Sequence, residues 1–71
     1  MVLQQVKNHL KTERAKRGMT QEELAKRIGV ARQTINSIEK GRYVPSTSLA
    51  LKLSRLFERS VNELFELEPG D

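Results

Sequence analysis

The chain has 71 residues, enough for one small domain with a limited hydrophobic core. It contains no cysteine and a single histidine, so we expect neither a disulfide framework nor a zinc site. No apolar run approaches the ~20 residues that span a bilayer, and polar residues throughout positions 1–10 argue against a signal peptide. These features predict a cytoplasmic protein that does not associate with a membrane.

The charge of the chain is unevenly distributed. The formal net charge is +4, but residues 1–42 carry ten Lys or Arg and four Glu, a net of +6. Residues 43–71 carry three basic and five acidic residues, a net of −2. The basic part favours a polyanionic partner such as nucleic acid. Ordinary solvated charge would explain the same distribution.

The first apolar pattern lies near the N-terminus. Leu3, Val6 and Leu10 are spaced as on one face of a helix, which predicts a first helix over residues 3–17. Gly18 supplies a stop signal after it.

Two short helices are predicted next, over residues 21–28 and 32–40. Thr20 and Glu23 form the sequence pattern of a capping box at the start of the earlier one. A glycine follows each of the two helices. The side chains expected to face the core are Leu24, Ala25, Ile28, Ile35 and Ile38.

Two further helices are predicted in the C-terminal part, residues 46–66. Ser46 is placed to cap the fourth helix, and Ser60 with Glu63 predicts a capping box at the fifth. The apolar stripe of the fourth helix consists of Leu49, Ala50, Leu53, Leu56 and Phe57. Alternation at residues 2–3 and 65–67 also allows a tiny strand pair that joins the termini.

The segment of residues 20–40 has the arrangement of a helix-turn-helix. A turn of only Gly-Val-Ala separates its two helices, which is too short for an antiparallel return and is typical of a crossing at about 90–120°. The side chains left outward on the second of these helices are Arg32, Gln33, Asn36 and Ser37. They are hydrogen-bonding residues suited to reading base edges.

Several motifs now occur in order: TQEELAKRIGV, RQTINSIEKG, and YVPS followed by LALKLSRLF and SVNELF. In these motifs the chain resembles the phage-repressor/Cro-type helix-turn-helix regulators of prokaryotes, also called the xenobiotic-response-element type, from about Leu10 to Phe65. The resemblance implies an all-α, compact five-helix, lambda-repressor-like domain over residues 1–71. A plain five-helix bundle without a DNA role is the competing interpretation, and it does not explain the outward polar set.

The resemblance also implies roles for individual residues on double-stranded operator DNA. The third helix would enter the major groove, with base-reading positions at Arg32, Gln33, Ser37 and Asn36. Phosphate-binding positions would be Gln21, Thr34, Lys40 and Arg42. Arg14 and Glu39 match a structural pair that joins the first and third helices.

Regulators of this type bind as two-fold dimers on a pseudopalindrome, so we expect a homodimeric repressor. The apolar residues proposed for the dimer interface are Val61, Leu64, Phe65 and Leu67; the alternative is that all four complete the core. From the length we expect no small-molecule effector domain. An antitoxin-like interaction module that regulates its own operon is the alternative function.

Enzyme chemistry has little support in the sequence. No nucleophile with a matching base, metal-ligand cluster or phosphate-binding loop can be found in it. We therefore expect no catalytic activity and no cofactor.

Four positions depart from the family pattern, namely Glu13, Ala31, Glu58 and Arg59. Glu13 stands where relatives often have Leu or Ile, and we expect it to turn toward a basic neighbour or the surface. Glu58-Arg59 replaces a common Gly-Val, which removes the usual C-cap glycine and an apolar contact. Ala31 replaces a frequent Ser or Thr. Tyr43 is expected to pack at the core edge rather than touch the DNA backbone.

Overall fold

Local capping signals decide where most of the helices begin. The structure is a computed structural model that describes residues 6–68. Its elements in chain order are β1 Val6–Asn8, α1 Leu10–Lys16, α2 Gln21–Ile28, α3 Arg32–Glu39, α4 Thr47–Phe57, α5 Val61–Leu64 and β2 Phe65–Leu67. Within the described residues this confirms five helices and a tiny antiparallel strand pair.

The two capping boxes form as expected. At the start of α2 the backbone N–H of Glu23 donates to Thr20 Oγ1 at 3.0 Å, and the N–H of Thr20 donates to Glu23 Oε1 at 2.8 Å. The same exchange between Ser60 and Glu63 begins α5. The Thr20 N–H holds the pKa of the Glu23 carboxyl below its usual range, because it bonds only the charged form well.

The prediction of one helix over residues 3–17 is wrong at its N-terminal end. Val6–Asn8 forms a strand that pairs antiparallel with β2, with Val6 opposite Leu67 and Asn8 opposite Phe65. The Asn8 side chain then marks the start of α1, because its Oδ1 accepts from the N–H of Leu10 at 3.2 Å. The strand at residues 2–3 and the helix at residues 3–5 were predicted outside the described residues.

The core lies between the helices. The residues with less than 2% exposed surface are Leu10, Leu24, Ile35, Ile38, Leu53, Phe57 and Leu64. All the inward positions predicted for α2 and α3 are buried. Gly29 ends α2 with φ +85°, a conformation that is cheap only for glycine, and the chain turns there into α3.

One of the C-terminal departures from the family pattern, Arg59, is linked to Glu13. Glu13 is 7% exposed, and its carboxylate lies 2.7 Å from Arg17 Nη1 and 3.5 Å from Arg59 Nε. The Arg17 hydrogen bond holds the pKa of Glu13 below its usual range. Arg17 also donates to the carbonyl of Phe57 at 2.7 Å. An ion cluster thus joins α1 to the end of α4, where an apolar contact was expected to be lost.

Glu58 occupies the C-cap of α4 with φ +54°, the left-handed region. At this position the resemblance implies a glycine. A non-glycine residue pays about 1–2 kcal/mol there. The absence of glycine therefore lowers the folding stability locally but does not change the path of the chain.

Candidate nucleic-acid interface

Helix α3 presents two kinds of side chain on opposite sides. Ile35 and Ile38 are 0% and 1% exposed and anchor it to the core. Arg32 and Gln33 are exposed. The half-buried polar residues of the helix are Thr34, Asn36, Ser37 and Glu39. The fold therefore fixes α3 from inside and leaves its long polar side chains available.

Ala31 is the N-cap residue of α3 and makes no side-chain cap hydrogen bond. A Ser or Thr at this position would supply one. The start of α3 consequently depends on tertiary packing more than the starts of α2 and α5 do.

A bidentate ion pair ties α1 to the end of α3. Arg14 Nε lies 2.8 Å from Glu39 Oε2 and Arg14 Nη2 lies 3.1 Å from Glu39 Oε1. The two side chains are 15% and 5% exposed. Arg14 also donates to the Met19 carbonyl at 2.9 Å, and the Glu39 hydrogen bonds raise the pKa of Arg14. This arrangement stabilises the orientation of α3 relative to α1.

Gln21 joins the start of α2 to the same network. Its Nε2 donates to Glu39 Oε1 at 3.1 Å and to Asn36 Oδ1 at 3.3 Å. Both hydrogens of that amide are therefore engaged within the protein. The sequence predicts phosphate binding for Gln21 but not its contacts with Glu39 and Asn36, because only the crossing of α2 and α3 creates them.

Two exposed cations follow α3. Lys40 is its C-cap, Gly41 turns the chain with φ +75°, and the N–H of Arg42 donates to the Ser37 carbonyl at 2.9 Å. The turn keeps Lys40 and Arg42 beside the last turn of the helix. Both side chains are exposed.

Two residues that sequence analysis did not assign to this region also touch it. Tyr43 is 45% exposed and lines a shallow depression with Gln33, Thr34 and Ser37. Its place beside the outward side of α3 differs from the expected packing at the core edge. Asn8 Nδ2 donates to the Ile38 carbonyl at 2.7 Å and so attaches β1 to the end of α3.

The expected dimer residues do not all reach the surface. Leu64 is 0% exposed and belongs to the core, so it cannot offer a surface to a partner. Leu67 is 57% exposed, whereas Val61 and Phe65 are half-buried. The reason for the error at Leu64 is the short α5, which uses its last residue to close the core.

An apolar groove of about 300 Å³ adjoins these residues. Three side chains that line it are more than half exposed, namely Val44, Leu51 and Leu67. Val61 and Phe65 also line it. We call this surface the apolar groove.

The helix-turn-helix family model matches residues 10–64, which include all five helices. The chain belongs to the Cro/C1-type helix-turn-helix family. As a member of it, the chain is a transcriptional regulator whose DNA-binding domain is this helix-turn-helix.

Relatives and a solved structure agree with this membership. An uncharacterised HTH-type transcriptional regulator of Methanocaldococcus jannaschii is 49% identical over 66 residues, covering 93% of this chain and 100% of its own. One of Archaeoglobus fulgidus is 58% identical over 52 residues, covering 73% and 74%. The SOS-response transcriptional repressor LexA of Eubacterium rectale is 33% identical with a TM-score of 0.76, covering 89% of this chain and 67% of that one.

The family and these neighbours are DNA-binding regulators and not enzymes. Among residues 6–68, no helix has the length and apolar character needed to cross a membrane.

Proposed function

We propose that the chain is a homodimeric repressor that reads a pseudopalindromic operator with α3 in the major groove. The observation that carries this proposal is the two-sided character of α3. Ile35 and Ile38 fix it to the core, while Arg32 and Gln33 project from it. A helix of this kind fits the width of the major groove, and its exposed donors and acceptors match base edges.

Each side chain of α3 is proposed to have its own part in binding. Arg32 is suited to guanine O6 and N7, and Gln33 to adenine N6 and N7, because both side chains bond bidentately. Ser37 would contact a neighbouring base. Asn36 lies one turn from Arg32 and Gln33 on the same helix surface.

Phosphate contacts would position α3 without reading sequence. Lys40 and Arg42 are exposed at its end, and Thr34 lies beside Tyr43. Gln21 would contribute through its backbone N–H at the first position of α2, because its side-chain amide is engaged by Glu39 and Asn36. Tyr43 is added to this group as a further backbone contact.

A second copy of the chain is proposed to cover the apolar groove. One recognition helix contacts too few base pairs for selectivity, and two such helices reach successive major grooves about 34 Å apart. The exposed apolar side chains of Val44, Leu51 and Leu67 line the same groove, which supports an interface there. Val61 and Phe65 remain in the proposal and Leu64 does not.

Repression is the regulatory direction that we propose. The structural neighbour from Eubacterium rectale is named a transcriptional repressor, and it aligns with 89% of this chain. A dimer bound across two major grooves would block access to a promoter by occupying it.

Two classes of variant test the proposal on a selected operator. Arg32→Ala and Gln33→Ala should each cost roughly 1–3 kcal/mol on the cognate site and relax base choice at one position. Arg42→Ala should weaken all duplexes similarly and reduce the slope of log affinity against log salt by about 1. Arg55→Ala, an exposed arginine on α4, is the matched control. Equal losses for all variants on random DNA would contradict the assignment.

A further inference from the structure

Side-chain chemistry fixes which atoms donate and which accept in the hydrogen-bond network that joins Arg14, Glu39 and Gln21 to α3. The Arg14 guanidinium only donates, and it donates to both oxygens of Glu39. An ionised carboxylate only accepts, so the atom of Gln21 that lies 3.1 Å from Glu39 Oε1 must be its amide nitrogen. The same nitrogen lies 3.3 Å from the Asn36 side chain. Asn36 must therefore face Gln21 with its carbonyl oxygen.

The opposite end of the Asn36 amide is its NH₂ group. Within residues 6–68 no acceptor is hydrogen-bonded to Asn36 Nδ2, and in the same range no buried side-chain nitrogen or oxygen lacks a partner. The NH₂ group is thus accessible to solvent. It lies on the same helix surface as Arg32 and Gln33, the two side chains proposed to read bases.

We infer that the relay Arg14–Glu39–Gln21 makes Asn36 a dedicated hydrogen-bond donor toward DNA. An unconstrained asparagine can rotate its amide and bond adenine bidentately, with its oxygen accepting from N6 and its nitrogen donating to N7. Here the oxygen is held by Gln21. Asn36 accordingly selects a DNA acceptor, either a base-edge acceptor such as guanine O6 or N7 or a phosphate oxygen, and not adenine read bidentately.

Gln21 is then a positioning residue that acts through Asn36. The inference rests on the proposed function, since it concerns how α3 contacts its operator. The expected partner of the Asn36 side chain changes from adenine bound bidentately to a single hydrogen-bond acceptor.

The test is a set of double-mutant cycles between Asn36 and single groups of the operator. Wild type and Asn36→Ala are measured on operators carrying 7-deazaguanine, which lacks N7, or a methylphosphonate, which neutralises one phosphate. Removal of one acceptor should weaken wild type roughly three- to tenfold and leave Asn36→Ala unaffected. The analogue concerned distinguishes a base edge from a phosphate. Coupling of Asn36 to the N6 amino group of adenine, measured with purine in place of adenine, would overturn the inference.

Gln21→Met tests the relay itself, because it keeps side-chain length and removes the donor. We expect the coupling of Asn36 to its acceptor to fall below about twofold while the Tm stays near that of wild type. Glu22→Gln, at the exposed neighbouring position outside the relay, should keep the full coupling. Full coupling in Gln21→Met would also overturn the inference.

Side-chain amide exchange in the free protein separates this inference from the proposed function. In the free protein the NH₂ protons of Gln21 should exchange slowly with solvent and those of Asn36 rapidly. The reverse order would overturn the relay even if the chain reads DNA as proposed. The expected order, in a chain that selects no operator, would contradict the proposed function and leave the relay standing.

Discussion

At the scale of single residues, a buried charge determines how α3 is held against α1 and α2. Glu39 is 5% exposed and bonds both Arg14 and Gln21, so one carboxylate connects α1, α2 and α3. Removing one partner of such a pair is costly, because the other charge stays buried without compensation. The resemblance pointed to the pair, but Gln21 as a third member required the interhelical geometry.

Arg14→Leu should therefore lower the free energy of unfolding by about 3 kcal/mol. Denaturant unfolding followed by circular dichroism measures this change. Arg55→Ala removes an exposed arginine from α4 and should stay within about 0.5 kcal/mol of wild type. A loss below about 1 kcal/mol for Arg14→Leu would mean that the pair does not hold the helices together.

Glu13 makes the folding stability of the protein depend on pH. Its folded-state pKa is lowered by Arg17, so the folded state binds fewer protons than the unfolded chain near the ordinary glutamate pKa of 4.5. The resulting stability is present above pH 4.5 and is lost as the pH falls through the lowered value. We expect Glu13→Gln to lose less stability between pH 7 and pH 3 than wild type. Equal losses in chemical unfolding would contradict this account.

At the scale of elements, the sequence predicts features that depend on residues within four positions of each other. It does not predict features that depend on distant partners. The start of α2 at Gln21 and of α5 at Val61 follows from capping boxes that each involve a serine or threonine and a glutamate three residues later. The strand β1 could not be predicted in place, because its pairing partner lies about 60 positions away in β2. Tertiary pairing there overrides a local helical spacing.

Glu58 provides an element-scale prediction at the end of α4. Glu58→Gly should raise the free energy of unfolding by about 1 kcal/mol, because glycine enters the left-handed region without steric cost. Lys52→Gly, at an exposed position inside α4, should lower it by about 1 kcal/mol. Thermal unfolding of the two variants should thus move in opposite directions. Destabilisation by both would show that the Glu58 side chain has an interaction that outweighs its backbone strain.

At the scale of the whole molecule, the basic and the less basic parts of the sequence form different parts of the structure. The basic N-terminal part contains α3 and the cations that follow it, and the less basic part contains α5, β2 and much of the apolar groove. Composition favours a polyanionic partner, and the short spacing between two helices predicts the helix-turn-helix, of which α3 is the proposed reading helix. The groove could not be found from sequence, because Val44, Leu51 and Leu67 come from three separate segments.

Leu67→Asp should weaken self-association, because it places a charge in the proposed interface. Light scattering coupled to size exclusion should show a shift from dimer to monomer at micromolar concentration. Thr12→Asp adds the same charge at an exposed position outside the groove and should leave the dimer intact. If wild type is a monomer, or if both variants dissociate equally, the groove is not the dimer interface.

The central claim is that two α3 helices read one operator. In vitro selection of bound duplexes from a random pool tests it most directly. The account predicts a two-fold symmetric motif whose half-sites lie about one helical turn apart, roughly 34 Å. Recovery of no motif, or of a motif without two-fold symmetry, would contradict it.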